Sequence, residues 1–139
     1  MRIKEGFLII ILFFSINLWA QKSVSLTRLS KSRSGIYTSN QTGKLFTGEA
    51  YKRFENGKVG MRGKIVDGRF SGLWVWWYEN GSKKRETTYI NGVKSGYAYW
   101  WYKNGVKKLE VKFANNRNVE QKRWDEKGKR LPNPKMGRR

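Results

Sequence analysis

Residues 72–95 read GLWVWWYENGSKKRETTYINGVKS, and residues 96–118 read GYAYWWYKNGVKKLEVKFANNRN. Laid over one another, these stretches match at Gly72 and Gly96, at Trp76-Trp77-Tyr78 and Trp100-Trp101-Tyr102, and at Asn80-Gly81 and Asn104-Gly105. The Lys-Lys pairs, Glu86 and Glu110, and Asn91 and Asn115 coincide as well. Self-similarity at a fixed period marks a repeat architecture, in which each unit buries surface against its neighbours. Residues 48–71 (GEAYKRFENGKVGMRGKIVDGRFS) are an earlier unit, and residues 119–130 (VEQKRWDEKGKR) a worn fourth with Trp124 and Gly128 at the expected offsets. Before them, Gly35-Ile36-Tyr37 and the run Gly43 to Gly48 read as a degenerate first repeat within an N-terminal segment, 21–47.

Turn chemistry says what one unit is. Asn56-Gly57, Asn80-Gly81 and Asn104-Gly105 are dipeptides that a two-residue type I′ hairpin turn prefers, because both central positions need φ above zero. A second set, Asp67-Gly68, Asn91-Gly92 and Asn115-Asn116, leaves strands of roughly 6–8 residues between reversals. Glycine recurs too often for a long helix, and Leu109, Val111 and Phe113 alternate with Glu110 and Lys112 at the period of a strand. The expected fold is all-β: a single-layer, twisted antiparallel sheet, a β-meander of about 8–10 strands built from hairpin repeats.

A two-residue turn at Asn80-Gly81 pairs Glu79 with Ser82, which sets Trp77 opposite Lys84 and Val75 opposite Glu86. One face then collects Trp74, Trp76, Tyr78, Tyr89, Trp100 and Tyr102, with Leu109, Val111, Phe113, Phe54, Met61 and Ile65, and is the expected core. The other carries Tyr51, Arg53, Trp77, Lys84, Tyr97, Tyr99, Trp101, Lys108 and Lys112 and is the candidate binding face. Two strand spacings put Trp77 and Trp101 roughly 10 Å apart, and large aromatics beside lysines suit stacking on a ligand or a flat protein partner. The alternative is that these aromatics only shield the sheet, or are covered by residues 22–45.

The chain has 30 Lys+Arg against 10 Asp+Glu, a net charge of +20. Arg2 and Lys4 followed by the apolar run Phe7 to Trp19 read as a secretory signal ending at Ala20, too short for a spanning helix. Removal of 1–20 takes away Arg2, Lys4 and Glu5 and leaves 28 basic against 9 acidic residues, a charge near +19. Such a field favours anionic partners and should fade with salt. Export argues against nucleic acid and for a protein partner, or for acidic glycan or lipid in the periplasm, cell envelope or extracellular space. Surplus lysine also discourages pairing at open sheet edges. Residues 131–139, short, basic and proline-punctuated, are expected to be a disordered tail.

Catalytic and metal chemistry have few carriers here. The chain lacks cysteine and histidine, so disulfides, thiolate ligands and imidazole bases are excluded. No glycine-rich phosphate loop precedes a helix and no calcium-loop spacing occurs, so no cofactor is expected. Glu86 and Glu110, repeated beside lysines and arginines, read as cross-strand ion pairs rather than as an acid/base couple.

At Gly72-x-Trp74-x-x-Trp77-Tyr78-x-Asn80-Gly81, followed by a lysine-rich strand and a second Asn-Gly, the sequence resembles the variant MORN repeat of bacterial proteins. With Phe46-Thr47-Gly48 leading in, residues 35–130 are similar to the YwqK family, which carries an antitoxin label. The resemblance implies scaffolding, protein binding and contact with acidic lipid, or neutralisation of a partner protein. Ala50 and Ala98 stand where Trp74 does, and Asn116 where the second turn has glycine, so a loosely formed last unit is expected. The reading is an exported, non-enzymatic interaction scaffold, with an acidic glycan or lipid module and an antitoxin-like neutraliser as alternatives and the oligomeric state left open.

Overall fold

Chain reversal at every Asn-Gly or Asp-Gly step, with period-2 patterning between the steps, leaves the polypeptide no choice but to zigzag. The computed structural model describes residues 23–133, and the expected signal segment and the tail beyond 133 lie outside the described residues. The strands are β1 (Val24–Ser25), β2 (Leu29–Lys31), β3 (Tyr37–Ser39), β4 (Gly48–Arg53), β5 (Val59–Val66), β6 (Arg69–Trp77), β7 (Lys83–Ile90), β8 (Val93–Trp101), β9 (Lys107–Ala114), β10 (Arg117–Trp124) and β11 (Arg130–Leu131). Nine of them form one open sheet in the order β1-β4-β5-β6-β7-β8-β9-β10-β11. All neighbours from β4 to β11 are antiparallel, and β1 lies parallel to β4 at the first edge. β2 and β3 pair separately. Leu131 pairs with Arg123, so the sheet extends into the first residue of the expected tail.

The two turn sets differ in kind, and the difference reverses the sequence expectation. The type I′ turns are those of the second set, where both central residues have positive φ: Asp67 (46°) and Gly68 (74°), Asn91 (49°) and Gly92 (80°), Asn115 (49°) and Asn116 (64°). In the first set only Gly57, Gly81 and Gly105 do, at 81°, 88° and 84°. There Gly81 N–H donates to Tyr78 C=O at 2.9 Å and Tyr78 N–H to Ser82 C=O at 2.9 Å, a three-residue loop ending in a glycine bulge. Asn80 holds that loop by accepting Ser82 N–H at 3.0 Å, as Asn56 does for Lys58 and Asn104 for Val106.

This loop shifts the register near it. Trp77 faces Lys83, not Lys84, and a bulge between Trp76 and Trp77 restores the expected pairing of Val75 with Glu86. The third unit repeats the device, with Trp101 facing Lys107 and Trp100 facing Leu109.

Residues 24–47 fold back over one face of the sheet. Leu29 joins Ala50, Ile65 and Trp74 in a buried cluster, flanked by Leu26, Tyr37, Phe46 and Phe70. Trp74 is the keystone: its indole lies over Gly63, where an added Cβ would come within 2.3 Å of the ring, and its Nε1 donates to Lys64 C=O at 3.0 Å. Phe70 stacks on it with centroids 3.6 Å apart. The row Ala50, Gly63, Trp74, Thr87, Ala98, Val111 thus alternates one large side chain with small ones, which is why alanine occupies the Trp74 place in the flanking units. Ala98 is fully buried, and Asn116 adopts the backbone expected of glycine while its Oδ1 accepts Lys94 N–H at 2.7 Å, so the third unit is well formed.

One row nearer the first turns, Arg85 lies between two indoles, its guanidinium carbon 4.3 Å from the Trp76 ring and 5.2 Å from that of Trp100. It donates to Thr87 Oγ1 at 2.9 Å and to Tyr89 Oη at 3.0 Å. Burial pushes the Tyr89 phenol up, against the opposing pull of Arg85.

Units are also tied at their turns. Tyr78 Oη donates to Trp101 C=O at 2.8 Å and Tyr102 Oη to Trp124 C=O at 3.0 Å, while Asn80 and Asn104 Nδ2 donate to Lys103 and Glu126 C=O. At the other end, Gly68, Gly92 and Asn116 N–H donate to the carbonyls of Phe46, Phe70 and Lys94. Phe46 therefore keeps the repeat spacing at the head of the array.

Candidate functional site

The N-terminal segment covers the Trp74 face. The opposite face carries the candidate residues, so residues 24–47 do not screen it. Along β8 the alternation of a strand sends Tyr97, Tyr99 and Trp101 to this side, where their rings follow one another. Tyr97 and Tyr99 stack at 6.2 Å with 16° between planes, and Tyr99 and Trp101 lie 5.9 Å apart at 39°. Leu73, Val75 and Trp77 form the neighbouring stripe on β6, with Leu73 53% and Tyr97 43% exposed. At the first edge, Arg53 sits 5.1 Å from the Tyr51 ring.

Of the four cations the sequence singled out, Arg53 and Lys112 stand on this face, while Lys83 and Lys107 take the places expected for Lys84 and Lys108. Lys83 lies 5.2 Å from the Trp101 ring and Lys107 4.9 Å from that of Tyr99. Lys84 and Lys108 are the extra residues of the bulges and turn toward the loop tyrosines, 5.4 Å from Tyr78 and 5.1 Å from Tyr102. Lys112 does stand with the aromatic stripe, 5.8 Å from Tyr97. The duplicated Lys-Lys step held the signal: a bulge needs one residue more on one strand, and the pair supplies it.

Four cations of this face, Arg62, Lys83, Lys107 and Lys122, meet its carboxylates. Lys83 pairs with Glu86 three residues on, and Arg62 approaches Glu49 at 3.6 Å. Glu110 accepts from Lys107 at 3.0 Å and, across the strands, from Lys122 at 3.2 Å, while Lys122 also meets Glu120 at 3.3 Å. The Lys107 hydrogen bond, helped by Lys122, holds the Glu110 carboxyl below its ordinary range, although burial pulls the other way. The same carboxylates, Glu110 first, raise Lys122. The expectation of cross-strand pairs thus holds for Glu110, while Glu86 is paired within its own strand. Among the described residues, Arg53 and Lys112 have no carboxylate partner within ion-pair distance.

The face is shallow and open, lined by aromatic rings and alkyl chains with paired charges between them. It can offer a broad apolar contact with charge registration, and the acidic groups on it are bound up with cations. Among the described residues no cluster of three or more acidic side chains could hold a metal ion, and no helix is long and apolar enough to cross a membrane.

The arrangement is an open array of β-hairpin repeats with one aromatic, cation-bearing face. A family model described as MORN repeat variant matches residues 70–91, the stretch that contains β6 and β7. Repeats of this kind are generally involved in protein or membrane binding, which fits a binding scaffold. No curated protein and no solved structure matches the chain.

Proposed function

We propose that this chain is an exported, non-catalytic scaffold that holds a protein partner on the face formed by Leu73, Val75, Trp77, Tyr97, Tyr99 and Trp101. The carrying observation is the combination of half-exposed aromatics with cations already paired to Glu49, Glu86, Glu110 and Glu120. A surface built to grip a polyanion would leave its lysines free; a protein interface instead gathers aromatic anchors and confines charge to matched pairs. Neutralisation of a partner protein, the role implied by the YwqK resemblance, is a special case of the same interface.

A second reading, an acidic glycan or lipid surface at the envelope, is favoured by the lysines poised over rings at two-strand intervals. Salt separates the two. Capture of a partner from envelope and supernatant fractions should survive high ionic strength if the contact is apolar, and should collapse if it is polyanionic. Trp77→Ala with Trp101→Ala should weaken capture by about 30-fold or more, since buried aromatic anchors are worth roughly 2 kcal/mol and upward. Undiminished capture by the double variant sinks the assignment of this face. A mature N-terminus at Gln21, read by mass spectrometry, tests export.

A further inference from the structure

We infer that the outer edge of β10 accepts an extended acidic strand from a protein partner, which completes the fourth unit of the sheet. In units two and three the strand corresponding to β10 is followed by a full-length neighbour: β6 by β7 and β8 by β9. β10 runs from Arg117 to Trp124, yet β11 pairs only with Arg123 and Trp124. Among the described residues, Arg117 to Lys122 have a strand partner on the β9 side alone. Every second residue of such an edge turns an unpaired N–H and C=O away from the sheet, a template for strand addition.

The repeat itself says what chemistry fits. Across the sheet, Val75 faces Glu86 and Tyr99 faces Glu110, and Lys122 is next to Glu110 in that same row. Leu131 faces Arg123 as Leu109 faces Trp100, so Pro132 stands where β7 and β9 carry their glutamates. Proline supplies neither a carboxylate nor an N–H, and the strand stops there. An incoming strand with a carboxylate opposite Lys122, displacing the exposed Glu120 from that ammonium, and a small or β-branched residue opposite Gln121 would copy the Glu86-Thr87 and Glu110-Val111 steps. Charge points the same way: β10 carries Arg117, Lys122 and Arg123 against Glu120 alone, on a chain of net charge +20. That charge disfavours a second copy of this chain as the occupant.

The inference rests on the reading of the chain as a protein scaffold but uses a different surface, so the two can fail separately. With the full chain, anisotropy of a fluorescein-labelled peptide Ser-Glu-Leu-Glu-Val-Glu-Phe-Ser should report binding. Lysine in place of its glutamates, or methylation of alternate backbone nitrogens, should weaken binding about tenfold or more. Lys122→Glu should reverse the preference between the Glu and Lys peptides. Because that change also breaks the ion pair with Glu110, Val119→Pro, at the existing bulge between Asn118 and Glu120, is the second variant, with retained near-ultraviolet circular dichroism as the check on folding. Trp77→Ala should leave peptide binding intact. Equal binding of the Glu and Lys peptides, indifference to N-methylation, or unchanged binding by a folded Val119→Pro chain would each overturn the inference. So would concentration-dependent dimerisation that Val119→Pro abolishes while the Glu peptide fails to bind.

Discussion

Residues 72–95 and residues 96–118 are near copies, yet among the described residues the first lies under a roof and the second does not. Trp74 meets Leu29, Phe70 and the rest of the N-terminal cluster, whereas Ala98, at the matching place, is buried within the sheet's own row beside Thr87 and Val111. Two units with the same hairpin geometry therefore rely on different sources of stability. The roofed half depends on one large aromatic that fills the space above Gly63 and anchors another segment. The bare half depends on inter-turn hydrogen bonds, on the contact of its Trp100 with Arg85 reaching over from the roofed unit, and on the ion pairs of Glu110. A repeat sequence thus fixes a backbone without fixing how each copy is held.

The sharpest way to break this comparison is Trp74→Ala, which makes unit two resemble unit three. Losing a fully buried indole should lower unfolding free energy by about 3–5 kcal/mol, measured by denaturant titration, and should expose residues 24–47 to protease. A loss under roughly 1 kcal/mol would show that the two halves are held alike. Next in size is Arg85→Ala, expected to cost about 2–3 kcal/mol from two stacking contacts and two charge-assisted hydrogen bonds. Arg85→Leu copies Leu109 of the third unit and should recover about half of that by packing between the indoles. If Arg85→Leu is no better than Arg85→Ala, the guanidinium is needed for its hydrogen bonds and not for filling the gap.

The antiparallel order from β4 onward and the positions of its reversals could be read from the sequence, because a turn every dozen residues and an alternating pattern permit little else; the parallel edge strand β1 and the separate β2–β3 pair could not. The turn types could not. Asn-Gly serves both in a two-residue type I′ turn and in a three-residue loop ending in glycine, and the deciding factor at Asn80 is its side-chain bond to Ser82 N–H, visible only with the backbone in place. One misassigned turn moved the cations: Lys83 and Lys107 took the places expected for Lys84 and Lys108, because register beside a hairpin depends on loop length. The covering of the Trp74 face by residues 24–47 was illegible for another reason. That segment makes only short strands and a 3₁₀ turn, too little periodicity to reveal which side it packs on.

The smallest expected effect tests the bare half through pH. Glu110, 16% exposed at its side chain, joins β9 to β10 through Lys107 and Lys122. Its carboxyl is held below the ordinary value of 4.5 in the folded chain, so the unfolded chain binds that proton more readily. The stability this confers is complete above pH 4.5 and is lost as pH falls through the lowered folded value. Lys122 is raised above its ordinary 10.5, so its share is complete below that pH and is lost as pH climbs through the raised value. Coupling between β9 and β10 should be strongest between those limits. Glu110→Gln should then flatten the acid limb of a stability-against-pH curve and leave neutral-pH folding intact. Denaturation followed at the assigned indole N–H resonance of Trp124, whose ring lies 5.4 Å from Lys107, reads this end of the sheet directly. An acid limb unchanged by Glu110→Gln would mean that the last strands are held by their backbone ladder and turn bonds alone, as the Tyr102 bond to Trp124 C=O would by itself allow.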